Sequence, residues 1–240
     1  MSTKKKAIWL INDLLLLSKG PDFELDIPQG IDILTYKKLS AKLDRTPAEE
    51  EEFLELLTTM ENGASLLKKK QPLSEDKFPK LLYPRCGLQK KRLSPIFFVL
   101  GGFIIATESF ANLLLRFNLG STQMCEVRIS GIKSNDEAAK APYFFINICE
   151  HKEFFLPEYS DSSIFYLNKS GKKIYSLPSD KIELQKSYYF SSESLKSSVD
   201  LWHDPQISDS IFMSEDLQQA ICEAGIRRKI PLMPCYNFIY

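Results

Sequence analysis

Residues 210–226 read SIFMSEDLQQAICEAGI, and residues 103–120 read FIIATESFANLLLRFNLG. Each stretch puts a short apolar run before Ser or Thr, then polar or acidic residues, then apolar positions at helical spacing, and ends near a glycine. Setting Thr107 against Ser214 pairs Glu108 with Glu215, Phe110 with Leu217, Leu114 with Ile221 and Phe117 with Ala224. The apolar members recur on one helical face, and the acidic residue falls in the first turn, where it complements the helix dipole. Each copy therefore predicts a strand, a helix capped by Thr107 or Ser214, and a second strand, over 103–129 and 210–235.

Between the copies, APYFFINICEHKEFFLPEYSDSSIFYLN (141–168) and GKKIYSLPSDKIELQKSYYFSSESL (171–195) hold short apolar and aromatic runs separated by Pro, Ser, Asp and Gly, the pattern of strands and turns. The clearest helix lies earlier, in RTPAEEEEFLELLTTMENG (45–63). Thr46 suits the N-cap, Pro47 the first helical position, and Glu49 can bond back to the Thr46 amide. Phe53, Leu54, Leu56, Leu57 and Met60 share an apolar face, and Gly63 is the expected terminator. These elements give an α+β class, with a mixed or antiparallel sheet, covering helices and two similar strand–helix–strand modules in the carboxy-terminal two thirds. The Lys- and Pro-punctuated stretch 64–95 marks the expected boundary between an amino-terminal helical and strand region (1–95), packed on the rest, and a main domain (96–240). Within the latter, Gly101 and Gly102 allow a turn or a close backbone approach.

A chain of 240 residues is long enough to bury a proper core, and 31 basic against 31 acidic residues give no net charge. Nucleic acid is therefore disfavoured as principal partner, and the basic run 85–92, RCGLQKKR, reads as a solvated loop. Five cysteines without a CxxC pair point to a reducing, cytoplasmic setting. The basic start followed by apolar residues imitates a signal peptide, but Asn12 and Asp13 interrupt the run and it is too short to span a bilayer. A buried first strand or helix fits it better, with no membrane partner.

Only two histidines are present, His151 and His203. Cys149 and His151 would point to one side of a strand as nucleophile and base, although strand packing explains them as well. Zinc-ligand spacing is absent, as are the GxGxxG, P-loop and GxSxG patterns, so neither a metal, a cofactor nor a catalytic residue is expected. The sequence LWHDPQ (201–206) offers Trp202, His203 and Asp204 as a contact patch, with Trp202 as anchor; the competing reading puts Trp202 in the core and Asp204–Pro205 in a turn.

Three segments, FINICEHKEFFLPEYS, DLWHDPQISDSIFMSEDLQQAICEAGIRRKIPLMPC and GGFIIATESFANLLLRFNLGSTQMCEV, together resemble the bacterial immunity proteins of polymorphic toxin systems, of the immunity protein 43 and immunity protein 11 types. The likeness spans roughly 95–235. It implies a non-catalytic cytoplasmic protein that binds and blocks a cognate toxin of interbacterial competition, of the kind exported by contact-dependent machines such as type VI secretion. Two other classes stand beside it: an adaptor or chaperone for a secreted effector, and an enzyme of unrecognised type using Cys149 and His151 or the Trp202–Asp204 group.

Overall fold

The computed structural model describes residues 7–12, 23–25, 32–68, 70–84, 93–99, 103–130, 141–161, 165–168, 170–177, 187–208, 210–226, 230 and 232–240. The basic run 85–92 and the Gly101–Gly102 pair lie outside the described residues.

Both strand–helix–strand modules form, and the fold is α+β. In the first, β5 (Phe103–Thr107) leads into helix α3 (Glu108–Leu114) and then β6 (Gln123–Ile129). In the second, β12 (Ser210–Met213) leads into α4 (Glu215–Glu223) and then β13 (Leu232–Cys235). The two strands of a module are not neighbours. Strand β7 (Tyr143–Asn147) runs antiparallel to both β5 and β6, and β1 (Ile8–Asn12) runs antiparallel to both β12 and β13. Each module is thus a split unit whose parallel strands are separated by a third strand from elsewhere in the chain.

At the sheet ends, β4 (Ile96–Val99) pairs antiparallel with β5, and β11 (Leu201–Trp202) pairs antiparallel with β12. Beyond β6, β3 (Leu81–Pro84) pairs parallel with it and β2 (Phe23–Leu25) pairs antiparallel with β3. Strand β14 (Phe238–Ile239) resumes two residues after β13 and pairs parallel with β10 (Phe190–Ser191). The amino-terminal region is therefore interleaved with the rest of the chain: β1 is an interior strand of the second module's sheet.

Strand periodicity divides the core. Along β1, Trp9 and Ile11 face a cluster that also holds Phe110 and Leu114 of α3 and Leu217 and Ile221 of α4, while Ile8 and Leu10 face a second cluster around Trp202 and Phe212. Along β5, Ile104 and Ala106 join the first cluster, and Phe103 and Ile105 face a third with Phe97, Val127 and Phe145. Strands β1, β4, β5 and β12 are buried on both faces and read as continuous apolar runs, whereas β6 alternates, with Glu126 and Arg128 exposed between Val127 and Ile129.

The helix of the amino-terminal third, α2 (Pro47–Lys68), keeps the expected start: Thr46 N–H donates to Glu49 at 2.9 Å, and Glu49 N–H to the Thr46 hydroxyl at 3.4 Å. The Lys42 ammonium, followed by the Thr46 amide, lowers the Glu49 carboxyl to about 2. Gly63 does not end it. Gly63 is buried inside the helix, which runs on to Lys68 at the cost of about 1 kcal/mol that an interior glycine carries. A shorter helix, α1 (Ile33–Ser40), precedes it and packs along it, with Tyr36 stacked on Phe53 and the Arg45 guanidinium 4.2 Å from the Phe53 ring.

Of the two expected module caps, Ser214 forms and Thr107 does not. Ser214 Oγ accepts from Leu217 N–H at 3.2 Å and donates to Asp200, whereas the Thr107 hydroxyl makes no bond to a helix amide and turns to the Pro95 carbonyl and the Ser109 hydroxyl. Phe117 and Ala224 fall past the ends of their helices. Ser214→Ala is expected to cost about 1 kcal/mol in urea unfolding and Thr107→Ala clearly less, whereas Leu217→Ala, which empties a fully buried site shared by both modules, costs about 2–5 kcal/mol.

Candidate functional site

Where the sheets meet, the chain leaving β7 runs beside the end of β11. His203 N–H donates to the Glu150 carbonyl at 2.8 Å, and Lys152 N–H donates to the His203 carbonyl at 2.9 Å, forming a parallel bridge between His151 and His203. This junction gathers every residue that the sequence marks for chemistry, and it uses them structurally.

Trp202, His203 and Asp204 do not form a surface patch. They are 0%, 7% and 2% exposed, because β11 turns Trp202 into the outer face of its sheet and the following residues dive beneath the loop after β7. Trp202 stacks on Phe212 at 6.1 Å and takes the edge of Phe154 at 5.8 Å. The Asp204 carboxylate accepts three backbone N–H bonds, from Phe154 and Phe155 at 2.8 Å each and from Gln206 at 2.9 Å, and so ties residues 153–156 to the turn after β11. Burial pushes its carboxyl up, against the pull of those three donors.

His203 Nδ1 lies 2.9 Å from the Ser210 carbonyl and 3.2 Å from Lys70 Nζ. The carbonyl can only accept, so the ring donates there as the Nδ1–H tautomer, and the neighbouring ammonium is repelled by any second proton. Desolvation first, then Lys70, holds His203 well below its ordinary value.

Cys149 and His151 are not a nucleophile and base. The His151 ring approaches the Cys149 carbonyl at 2.9 Å, not the thiol, which is buried and donates to the Asn147 carbonyl at 3.5 Å. Burial, reinforced by Glu150, raises that thiol to about 11, the reverse of activation. Glu150 instead accepts from the Ser121 amide and hydroxyl at 2.7 and 2.8 Å; these bonds lower it, and its carboxylate lies against Gly120, where φ is +56° and a Cβ would stand 2.2 Å from the oxygen. Among the described residues no group of three His, Cys, Asp or Glu side chains could hold a metal ion, and no helix is long and apolar enough to cross a membrane.

Of the residues marked for chemistry, His151 is exposed and Cys149, Trp202, His203 and Asp204 are buried, and the exposed apolar side chains lie elsewhere. Nine large apolar side chains stand exposed among the described residues, and seven belong to two insertions: Leu34, Leu43 and Leu54 between β2 and β3, and Tyr159, Phe165, Tyr166 and Leu167 between residue 156 and β10. The first insertion carries the α1–α2 hairpin. No Lys or Arg occurs from Thr46 to Leu67, and the solvent-facing side of α2 presents Glu51, Leu54, Glu55 and Glu61. The second carries the ribbon of β8 (Phe165–Leu167) and β9 (Lys173–Tyr175), whose Phe165, Tyr166 and Leu167 are 43%, 52% and 61% exposed. A two-stranded ribbon with apolar residues on both sides is marginal in water by itself; here Tyr175 holds it to the core, through Phe155 and a bridge to Ile207. Sequence reasoning missed these surfaces. It assigned Leu54 to the buried face of its helix, and the signal in β8 was an apolar run too short to need burial on either side.

No protein-family model matches the chain, and no curated protein matches it.

Two outcomes follow from the junction. A maleimide at pH 7.5 is expected to leave Cys149 unmodified in the folded protein and to label it after unfolding, as read by peptide mass spectrometry. Unfolding free energy should fall as pH drops below about 6.5, since unfolded His203 takes a proton that the folded ring refuses; His203→Asn flattens that part of the profile. Asp204 acts with the opposite sign, its raised carboxyl costing stability once pH has risen through its folded titration.

Proposed function

We propose that this chain is a non-catalytic binding protein of the immunity kind, which acts in the cytoplasm by covering a cognate bacterial toxin. The observation that carries this reading is a division of labour: Cys149, His151, His203 and Asp204 are engaged in backbone hydrogen bonds at the junction between modules, while seven of the nine exposed large apolar side chains among the described residues lie on two insertions. Exposed aromatic and leucine side chains on projecting hairpins suit a protein interface, in which a few anchors carry most of the binding energy. An inhibitor that works by occlusion needs a rigid scaffold and a contact surface free to vary, and needs no arranged nucleophile.

The sequence resemblance to immunity proteins points the same way, and supplies the partner class. Co-expression with the product of the neighbouring toxin gene is expected to restore growth and to yield a copurifying complex in which the toxin is inactive. A complex whose toxin stays active would make this chain an adaptor, and turnover of a substrate by the chain alone would make it an enzyme. The triple variant Leu54→Ser, Phe165→Ser, Leu167→Ser is expected to lose at least tenfold in affinity for the toxin, measured by calorimetry, with an unchanged unfolding midpoint.

A further inference from the structure

The two modules are parts of a longer correspondence. In chain order β1, β2, β3, β4, β5, α3 and β6 answer to β7, residues 154–156, β10, β11, β12, α4 and the β13–β14 line. The pairings answer as well. Strand β2 lies antiparallel to β3 with Leu25 opposite Leu82, and Phe155 bridges antiparallel to Phe190. Leu82 lies opposite Ile129 in a parallel pair, and Phe190 opposite Phe238 in another. Ile96 faces Ala106 as Leu201 faces Met213. Even the bond that closes each corner recurs: Thr107 N–H donates to the Pro95 carbonyl at 2.9 Å, and Ser214 N–H to the Asp200 carbonyl at 3.1 Å.

Against this background the central strands are crossed over. Ile146 of β7 lies opposite Ile104 and Met124, and Ile11 of β1 lies opposite Ile211 and Leu232. In that register YFFIN of β7 and IWLIN of β1 coincide residue for residue and both end Ile-Asn. Yet β7 opens the second half and completes the sheet of the first, while β1 opens the first half and completes the sheet of the second.

We infer that the molecule is a fused pair of like units, residues 7–130 and 141–240, that hold one another by exchanging their first strands. The gap between β12 and β13 is an acceptor for an extended apolar segment, and the partner it fits is the lead strand of a second such unit. Without β1, the facing edges of β12 and β13 lose their backbone partners, and the apolar sites of Trp9 and Ile11 on one face and Ile8 and Leu10 on the other stand empty. The insertions that bear the exposed side chains fall at the same step of each unit, between its second and third strands, so the scaffold repeats while the outward surfaces differ.

The test uses the full chain with a specific protease site placed within residues 131–140. After cutting, the two fragments are expected to co-elute at the size of the intact protein and to part only in denaturant; fragments that separate in native buffer would overturn the inference. Hydrogen exchange on the uncut chain gives a second readout. Leu10→Ala is expected to raise exchange in β12 and β13, and Phe145→Ala in β5 and β6. Loss of protection confined to residues 23–130 in Leu10→Ala would refute the exchange of strands.

Discussion

A strand, a helix and a second strand can return in parallel with room for one strand between them, and that gap cannot stay open. Two parallel strands held one place apart present two facing edges of backbone donors and acceptors, and hydrogen bonding inside an apolar core is obligatory. Here each gap is closed by an antiparallel strand taken from the other half of the chain. From this one requirement come the interior placement of β1, the burial of both faces of β1 and β5, and the position of the helices in a single core between the sheets.

The same requirement explains why the junction is built as it is. A strand that leaves one sheet must reach the edge of the other, and on the way its backbone needs partners. After β7 those partners are the His203 amide and carbonyl and the Asp204 carboxylate, which takes up the amides of Phe154 and Phe155. Polar side chains that would draw attention as chemistry are spent in holding this crossing. Seven of the nine large apolar side chains left exposed among the described residues lie in the two insertions.

Much of the scaffold was legible in the sequence. Strand, helix and strand in 103–129 and 210–235, and the Ser214 cap, follow from local signals: apolar runs, a hydroxyl before acidic residues, and helical spacing. The capping box of Thr46 and Glu49 is equally local. What the sequence did not disclose depends on contacts far apart in the chain. YFFIN and IWLIN share only two residues, so their equivalence shows in the register and not in the letters. Gly63 looked like a stop because glycine usually is one, but its buried setting overrode propensity. Trp202 was ambiguous between core and surface, and only the pairing of β11 with β12 decided it. Of the candidate site, the chemistry-bearing residues were found and their roles were not; the exposed leucines and aromatics were missed because exposure is a property of the assembled molecule.

The placement of β1 also bears on how the chain is made. Synthesis runs from the amino terminus, at about 5–20 residues per second, and the neighbours of Ile8–Asn12 appear long after it, at 210–213 and 232–235. A nascent chain thus carries an unpaired IWLIN segment for roughly 10–40 s while everything between is translated. During that interval the ribosome-bound chain offers an unsheltered apolar strand to whatever else is nearby, a natural substrate for the cell's holding chaperones.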